Sequence, residues 1–210
     1  IVKNEAALIR RCLDSVRPLI DYVLIEDTGS TDGTQDIIRE YLQTQELPGE
    51  VIEETWQDFA SNRSSALARL RDRVEVDYAL IMDADDVLVL DNGFDVEEFK
   101  KSLSADLYSV TIRLGGIVYD RPQICSNRLG FYYRGVLHEF LETPRHEISR
   151  GFARGFYIQA GVEGGRSQDP DKYRKDAETL ERVLETEQDA FMRSRYTFYL
   201  AQSWHDCGEK

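Results

Sequence analysis

Three carboxylates crowd into Asp83-Ala84-Asp85-Asp86, directly behind the apolar run Tyr78-Ala79-Leu80-Ile81-Met82. Like charges this close repel one another, and a divalent cation held by hard oxygen ligands is the usual remedy. A strand that ends in carboxylates also places them at the carboxyl edge of a sheet, where open α/β folds bind ligands. A second acid, Asp27, ends the run Tyr22-Val23-Leu24-Ile25-Glu26 and opens the small polar loop Thr28-Gly29-Ser30-Thr31-Asp32-Gly33-Thr34. An ionised carboxylate only accepts hydrogen bonds, so Asp27 is suited to selecting a group that presents an N–H; capping the next turn is the rival role. Arg63 carries a fixed donor fork that fits carbonyl and phosphate oxygens, whereas Arg69, Arg71 and Arg73 read as surface residues of one helix. His138-Glu139 follows the aromatic stretch Phe131-Tyr132-Tyr133-Arg134-Gly135. His138, as neutral imidazole, is a candidate metal ligand beside Asp85, and Glu139 is a candidate general base, with Asp86, Asp120 and Glu142 as rivals.

The elements that must position these groups alternate strand and helix. Leu8, Ile9, Cys12, Leu13 and Val16 repeat at helical spacing, with Pro18 closing the helix. A strand over 22–25, a helix through Ile37, Ile38, Tyr41 and Leu42, and a strand at Val51-Ile52 follow. A loop over 56–60, a helix through Ala66, Leu67, Leu70 and Val74, and a strand over 77–82 complete the first part. Such alternation predicts a parallel sheet with crossover helices, and brings the loops at 27–34 and 83–86 to one edge. Next come a helix over 94–103 and strands over 106–114, 117–119 and 123–126, separated by Gly-Gly and Arg-Pro turns; they predict a mixed extension of the sheet. Gly161 to Gln168 reads as a linker. Beyond it, Tyr173, Ala177, Leu180 and Leu184 form one helical face and Tyr196, Leu200, Ala201 and Trp204 another, ended by Gly208: an antiparallel helical pair.

Of 210 residues, 41% are hydrophobic and 31% charged, which fits a globular chain with one full domain and a small appendage. A net charge of −13 argues against nucleic acid as a partner, and no apolar run reaches transmembrane length. Cys12, Cys125 and Cys207 form no metal-type spacing and read as reduced thiols, which fits a cytoplasmic setting. The start at Ile1 and the stop after Cys207-Gly208-Glu209-Lys210 suggest that both ends are cropped.

Taken in order, Val2-Lys3-Asn4-Glu5, Arg11-Cys12-Leu13 with Ser15, Asp27 to Thr34, Trp56 to Arg63 and Asp83-Ala84-Asp85-Asp86 resemble the family 2 glycosyltransferases of the GT-A fold. The resemblance covers residues 1–160 and implies an α/β, Rossmann-like mixed sheet as a GT-A domain. Residues 161–168 would then link it to a tetratricopeptide-like helical pair over 169–210, cut short. It implies transfer of a sugar from a nucleotide-sugar donor, probable UDP linkage and inversion, with Mn²⁺ or Mg²⁺ as cofactor. By the same resemblance Asp27 accepts from the nucleotide base, main chain at Val2 and Lys3 borders that base, and Arg63 sits near base and diphosphate. The DxD pair gives Asp85 to the metal and Asp83 to the ribose or the metal, with Ala84 between them at the donor. Here the chain reads Asn62-Arg63-Ser64 where the family has Ala-Arg-Asn. The aromatic stretch before His138 suits stacking on a sugar, and Glu139 would take the acceptor's proton. The helical pair would hold a protein partner or the acceptor, which no motif identifies as protein, glycan or lipid. The rival readings are a degenerate transferase domain serving as a binding scaffold and a sugar-phosphate nucleotidyltransferase; the latter needs a Gly-rich basic loop that Lys3-Asn4-Glu5-Ala6 does not supply.

Overall fold

The computed structural model describes residues 1–208. The first part follows the alternation: α1 (Ile9–Val16), β1 (Val23–Asp27), α2 (Thr34–Thr44), β2 (Gly49–Glu53), α3 (Phe59–Arg71) and β3 (Tyr78–Leu80). Ile9, Cys12, Leu13 and Val16 of α1 are buried on one face, as their spacing dictates. α3 starts earlier than its apolar pattern suggests. Asp58 accepts from the Ser61 amide as its cap, so Phe59 and Ala60 are helical and not loop, and the helix stops at Arg71, leaving Val74 beyond it and exposed.

The remaining elements are β4 (Val87–Leu90), α4 (Val96–Ser102), β5 (Leu107–Leu114), β6 (Ile117–Ser126), β7 (Tyr132–Arg134), β8 (Phe140–Glu142), β9 (Arg150–Phe152), β10 (Phe156–Gln159), α5 (Lys172–Leu184) and α6 (Ala190–Asp206). The expected turn at Arg121-Pro122 is absent, and β6 runs straight through it. Pro122 lies where the β5–β6 register shifts between Tyr108 and Ser109, and at such a bulge a missing N–H is tolerated.

The single parallel sheet expected from the alternation is not formed. β1 and β2 pair in parallel as a two-stranded sheet, with Val2 bridging Asp27 in parallel beside it. β3 belongs to another sheet, whose parallel pairings are β5 with β9 and β5 with β10. β1 and β2 approach closely at Gly49, where an added Cβ would come 2.6 Å from the Val23 carbonyl oxygen, so glycine is required. The larger sheet is mixed, in the order β3-β6-β5-β10-β4 with β9 beside β5, and β7 and β8 form a separate hairpin. One core cluster gathers Val2, Ile9, Leu13, Ile25, Ile38, Tyr41 and Ala84 between α1, α2 and β1. Another lies against the larger sheet around Val110, Ile112, Ile124, Phe156 and Ile158.

The two helices pack on each other, and their expected faces are kept in part. Ala177 and Leu180 on α5 and Tyr196 on α6 are buried, with Leu184 and Leu200 packed beside them, while Asp176, Met192 and Ser203 are buried in addition. Tyr173 and Ala201 face solvent. Leu180, Met192 and Tyr196 share a core cluster with Leu137 and pack against Phe59, Val136 and Phe140. The pair is therefore seated on the α/β body, at α3 and the 135–140 loop. Among the described residues no helix is long and apolar enough to cross a membrane.

Candidate active site

Asp27 closes β1 with its side chain fully buried. Its Oδ1 accepts from the amides of Gly29 at 2.9 Å and Ser30 at 2.8 Å and from Gln35 Nε2 at 2.9 Å. Its Oδ2 is buried and has no partner. One oxygen therefore shapes the loop, as the capping role requires, while the other is an acceptor that a ligand N–H would satisfy.

The loop after Val2 is tied to the loop after Asp27. The Thr28 amide donates to the Val2 carbonyl, Asn4 N to Ser30 Oγ, Glu5 N to Thr34 Oγ1 and Ala6 N to Asp32. Asn4 adopts φ 57°, a left-handed form that asparagine tolerates. Lys3 is exposed beside this junction. Ala84 is buried in the same core as Val2.

Arg63, on α3, reaches across to the acidic cluster. Its Nη2 pairs with Asp83 Oδ1, its Nε lies 3.0 Å from Glu139 Oε1, and its guanidinium sits 5.5 Å from the Tyr133 ring centre. Neighbouring Asn62 donates to Glu26 Oε1, which ties the start of α3 to the end of β1. Burial works against the charged form of Asp83, but Arg63, with Arg121 behind it, overrides that and holds the carboxyl down to about 2. Burial works against the charged form of Arg63 too, but Asp83, Tyr133 and Glu139 raise its pKa.

Asp85 turns the other way. Its Oδ2 accepts from the Gly164 amide at 3.1 Å, and its carbonyl accepts from Arg11 Nη2, which also pairs with Glu163. Gly165 N donates to Glu5 Oε1 at 3.3 Å. Burial, offset in part by the Gly165 amide, raises the Glu5 pKa, and the charges of Asp85, Asp32 and Asp83 add to the rise. Asp86 accepts from the Gly161 amide, and burial plus the charge of Asp83 push it up to about 6. Hydrogen bonds and ion pairs thus tie the segments together: Asn62 to Glu26, Arg63 to Asp83, Gly164 to Asp85, Gly165 to Glu5, and Glu5 to Thr34 of the loop after Asp27.

His138 lies on the 135–139 loop against α6. Its ring stacks on Tyr199 of α6, with centroids 3.7 Å apart and planes 6° from parallel. Among the described residues no three His, Cys, Asp or Glu side chains gather as a metal-holding group. Of the rival bases, Asp120 accepts from Thr111, and Glu142 is engaged by Arg134 and the Tyr132 hydroxyl.

Three participants escape a sequence reading. Glu5 reads as a helix-start acid, yet its Oε2 is buried and unpartnered at the site. Arg121, in mid-strand, brings Nη2 within 3.8 Å of Asp83 and has its Nε buried without a hydrogen-bond partner. The glycine-rich segment 161–165, expected to be a linker, packs on Asp85: a Cβ at Gly161 would meet the Asp85 carbonyl oxygen at 2.4 Å. The Gly164-Gly165 pair was its only visible signal.

The family model for glycosyl transferase family 2 matches residues 1–134. The chain belongs to glycosyl transferase family 2. Relatives of this transferase include a TPR repeat-containing protein of Synechococcus elongatus, 27% identical over 147 residues, which are 68% of this chain and 34% of that protein. Another is a Rickettsia prowazekii protein described as an uncharacterized glycosyltransferase, 26% identical over 178 residues, or 85% of this chain and 53% of that protein. The chain thus spans about a third to a half of these relatives. Among solved structures, S. aureus TarS 1-349 in complex with UDP-GlcNAc matches with TM-score 0.56 at 16% identity, over 96% of this chain and 69% of that one. The mannosyltransferase PcManGT of Pyrobaculum calidifontis, in complex with GDP-Man and Mn²⁺, matches with TM-score 0.54 at 14% identity, over 97% and 71%. At these identities the likeness establishes the GT-A fold of the transferase.

A divalent cation fits the donor set of this transferase in its chemistry. Asp83, Asp85, Asp86 and Glu5 supply carboxylate oxygens from neighbouring segments, although no three of them gather as a preformed cage. Burial, with neighbouring carboxylate charge added, raises the pKa values of Glu5 and Asp86, and Glu5 Oε2 is a buried acceptor without a partner. Hard oxygens of this kind suit Mg²⁺ or Mn²⁺.

Proposed function

We propose that the chain transfers a sugar from a UDP-linked donor to an acceptor hydroxyl, with inversion and with Mn²⁺ or Mg²⁺ on the diphosphate. The observation that carries the reading is the buried, unpartnered Oδ2 of Asp27 at the end of β1, whose neighbour Glu26 is tied by Asn62 to the start of α3, the helix that brings Arg63 to Asp83. An acceptor oxygen at that strand end matches the N3–H of uracil, and the basic and acidic groups beyond it match a diphosphate and its counter-ion.

In this reading Asp27 Oδ2 accepts from the base, and main chain at Val2 and Lys3 borders it. Asp83 and Ala84 line the donor, with Asp83 held in place by Arg63 and Arg121. Asp85, with Asp83 beside it, would hold the cation, which supplies Lewis-acid stabilisation of the leaving diphosphate when bound. His138 remains the candidate third ligand, because face-on stacking against Tyr199 leaves its ring nitrogens at the ring edge. Glu139, oriented by Arg63, takes the proton of the acceptor hydroxyl as its oxygen bonds to the anomeric carbon. The bond from that carbon to the phosphate oxygen breaks on the opposite side, and the electron pair leaves with UDP.

A donor screen tests this directly. UDP-GlcNAc, UDP-glucose and GDP-mannose are supplied with Mn²⁺ or with EDTA, and free nucleoside diphosphate is measured. Release from a UDP-linked sugar that stops in EDTA is the expected result. No release from any UDP-linked donor, or release indifferent to EDTA, overturns the reading.

A further inference from the structure

Glu139 is held in place from outside the α/β body. The residue before it, His138, has φ 53°, a backbone form that a non-glycine residue keeps only when its surroundings enforce it. The enforcing contacts all come from α6. Arg195 donates to the His138 carbonyl from both Nε, at 3.3 Å, and Nη2, at 2.7 Å. The Tyr199 ring lies flat on the His138 ring at 3.7 Å. The Tyr196 hydroxyl accepts from the Val136 amide at 3.1 Å, and Met192 Cε would lie 3.5 Å from a Cβ at Gly135. Met192, Arg195, Tyr196 and Tyr199 follow the spacing i, i+3, i+4, i+7, so they form one stripe of one helix. That whole stripe is spent on residues 135–139, and the loop in turn delivers Glu139 to within 3.0 Å of Arg63.

We propose that the C-terminal helical pair is a working part of the transfer site: Arg195, Tyr196 and Tyr199 of α6 are positioning residues that hold the 135–139 loop in its left-handed turn and so aim Glu139. This rests on Glu139 acting as base in the function proposed above. The pair is then more than a platform for a partner, because the site is incomplete without it.

The test uses the chain with both helices present. UDP release from UDP-GlcNAc with Mn²⁺ is measured for Arg195→Leu, Arg195→Lys and Arg195→Leu combined with His138→Gly, alongside the Kd for UDP. Arg195→Leu should lower kcat about tenfold or more, since small misplacements of a catalytic group are costly, while the Kd for UDP stays within about twofold. Arg195→Lys, which keeps one donor for the carbonyl, should recover much of the rate. His138→Gly in the Arg195→Leu chain should not recover rate, because it also removes the ring that Tyr199 holds and frees the backbone. In a Glu139→Gln background Arg195→Leu should add no further loss. Full additivity there, or a lowered melting temperature with unchanged kcat, overturns the positioning role. Should the wild-type chain release no UDP, the functional reading fails by itself. Hydrogen exchange across 135–140 then decides the coupling: faster in Arg195→Leu and slower again in Arg195→Lys supports it, and equal rates overturn it.

Discussion

Arg63 Nε lies 3.0 Å from Glu139 Oε1 while the same guanidinium holds Asp83. One side chain on α3 therefore joins the first acid of the DxD pair to the candidate base. Arg63 is mostly buried, with a side-chain exposure of 15%, so neither carboxylate has an equivalent replacement partner. Arg63→Met should cost about 2–3 kcal/mol of stability, less than a fully buried pair would because Asp83 is partly open to solvent. It should also lower UDP release by about a hundredfold or more. Denaturant unfolding and the release assay check both; wild-type turnover in Arg63→Met would dismiss the pairing as incidental.

Asp27→Asn separates base selection from loop shaping. Asparagine keeps one acceptor for the Gly29 and Ser30 amides, but puts an N–H₂ where the vacant acceptor faces the base. Affinity for UDP should fall about thirtyfold or more, in line with a hydrogen bond to a charged group, while thermal stability changes little. A Kd for UDP equal to that of wild type contradicts the assignment.

Gly161→Ala tests the strap over Asp85. Its Cβ would meet the Asp85 carbonyl oxygen at 2.4 Å and the Asp85 carbonyl carbon at 2.7 Å, which are backbone atoms and cannot swing aside. Asp85 must move, so turnover should drop by about a hundredfold and stability by about 1–3 kcal/mol. Unchanged kinetics would mean that Asp85 is not held by this segment.

His138 gives a pH signature. Desolvation lowers its pKa, the charge of Asp176 opposes that, and Arg166, Arg195 and Lys172 add to the lowering. A base with a lowered folded pKa leaves the unfolded chain binding more protons below 6.5, so its contribution to stability is present above that pH and is lost as pH falls. Melting temperature should therefore drop between about pH 7.5 and 5.5. The drop should be smaller in His138→Asn, which tolerates the left-handed backbone. Equal slopes in the two proteins would refute it.

The parts of the site that the sequence discloses are those that carry a local signal. The acids at the end of β1 and after β3 follow short apolar runs, and Arg63 lies in α3 ahead of its apolar face, whereas the one parallel sheet expected to bring them to a common edge is replaced by β1 and β3 in separate sheets. β4 was hidden because Val87–Leu90 is too short for its period to separate strand from helix, and β6 because Pro122 mimics a turn while sitting on a bulge. Glu5, Arg121 and Gly161 to Gly165 join the site only through long-range contacts, which no local pattern encodes. The setting of His138 was hidden for a related reason: Tyr199, which stacks on its ring, comes from α6, far along the chain.

The central claim is that Asp27, Arg63 and Asp85 serve one activated-sugar molecule together with a cation. Calorimetric titration of UDP into the wild-type chain and into Asp85→Asn, each with Mn²⁺ and with EDTA, tests it most directly. The wild type should bind UDP at least about tenfold more tightly with Mn²⁺ than with EDTA, and Asp85→Asn, still folded, should bind equally in both. Equal wild-type affinity in Mn²⁺ and EDTA, or full Mn²⁺ enhancement in Asp85→Asn, would contradict the account.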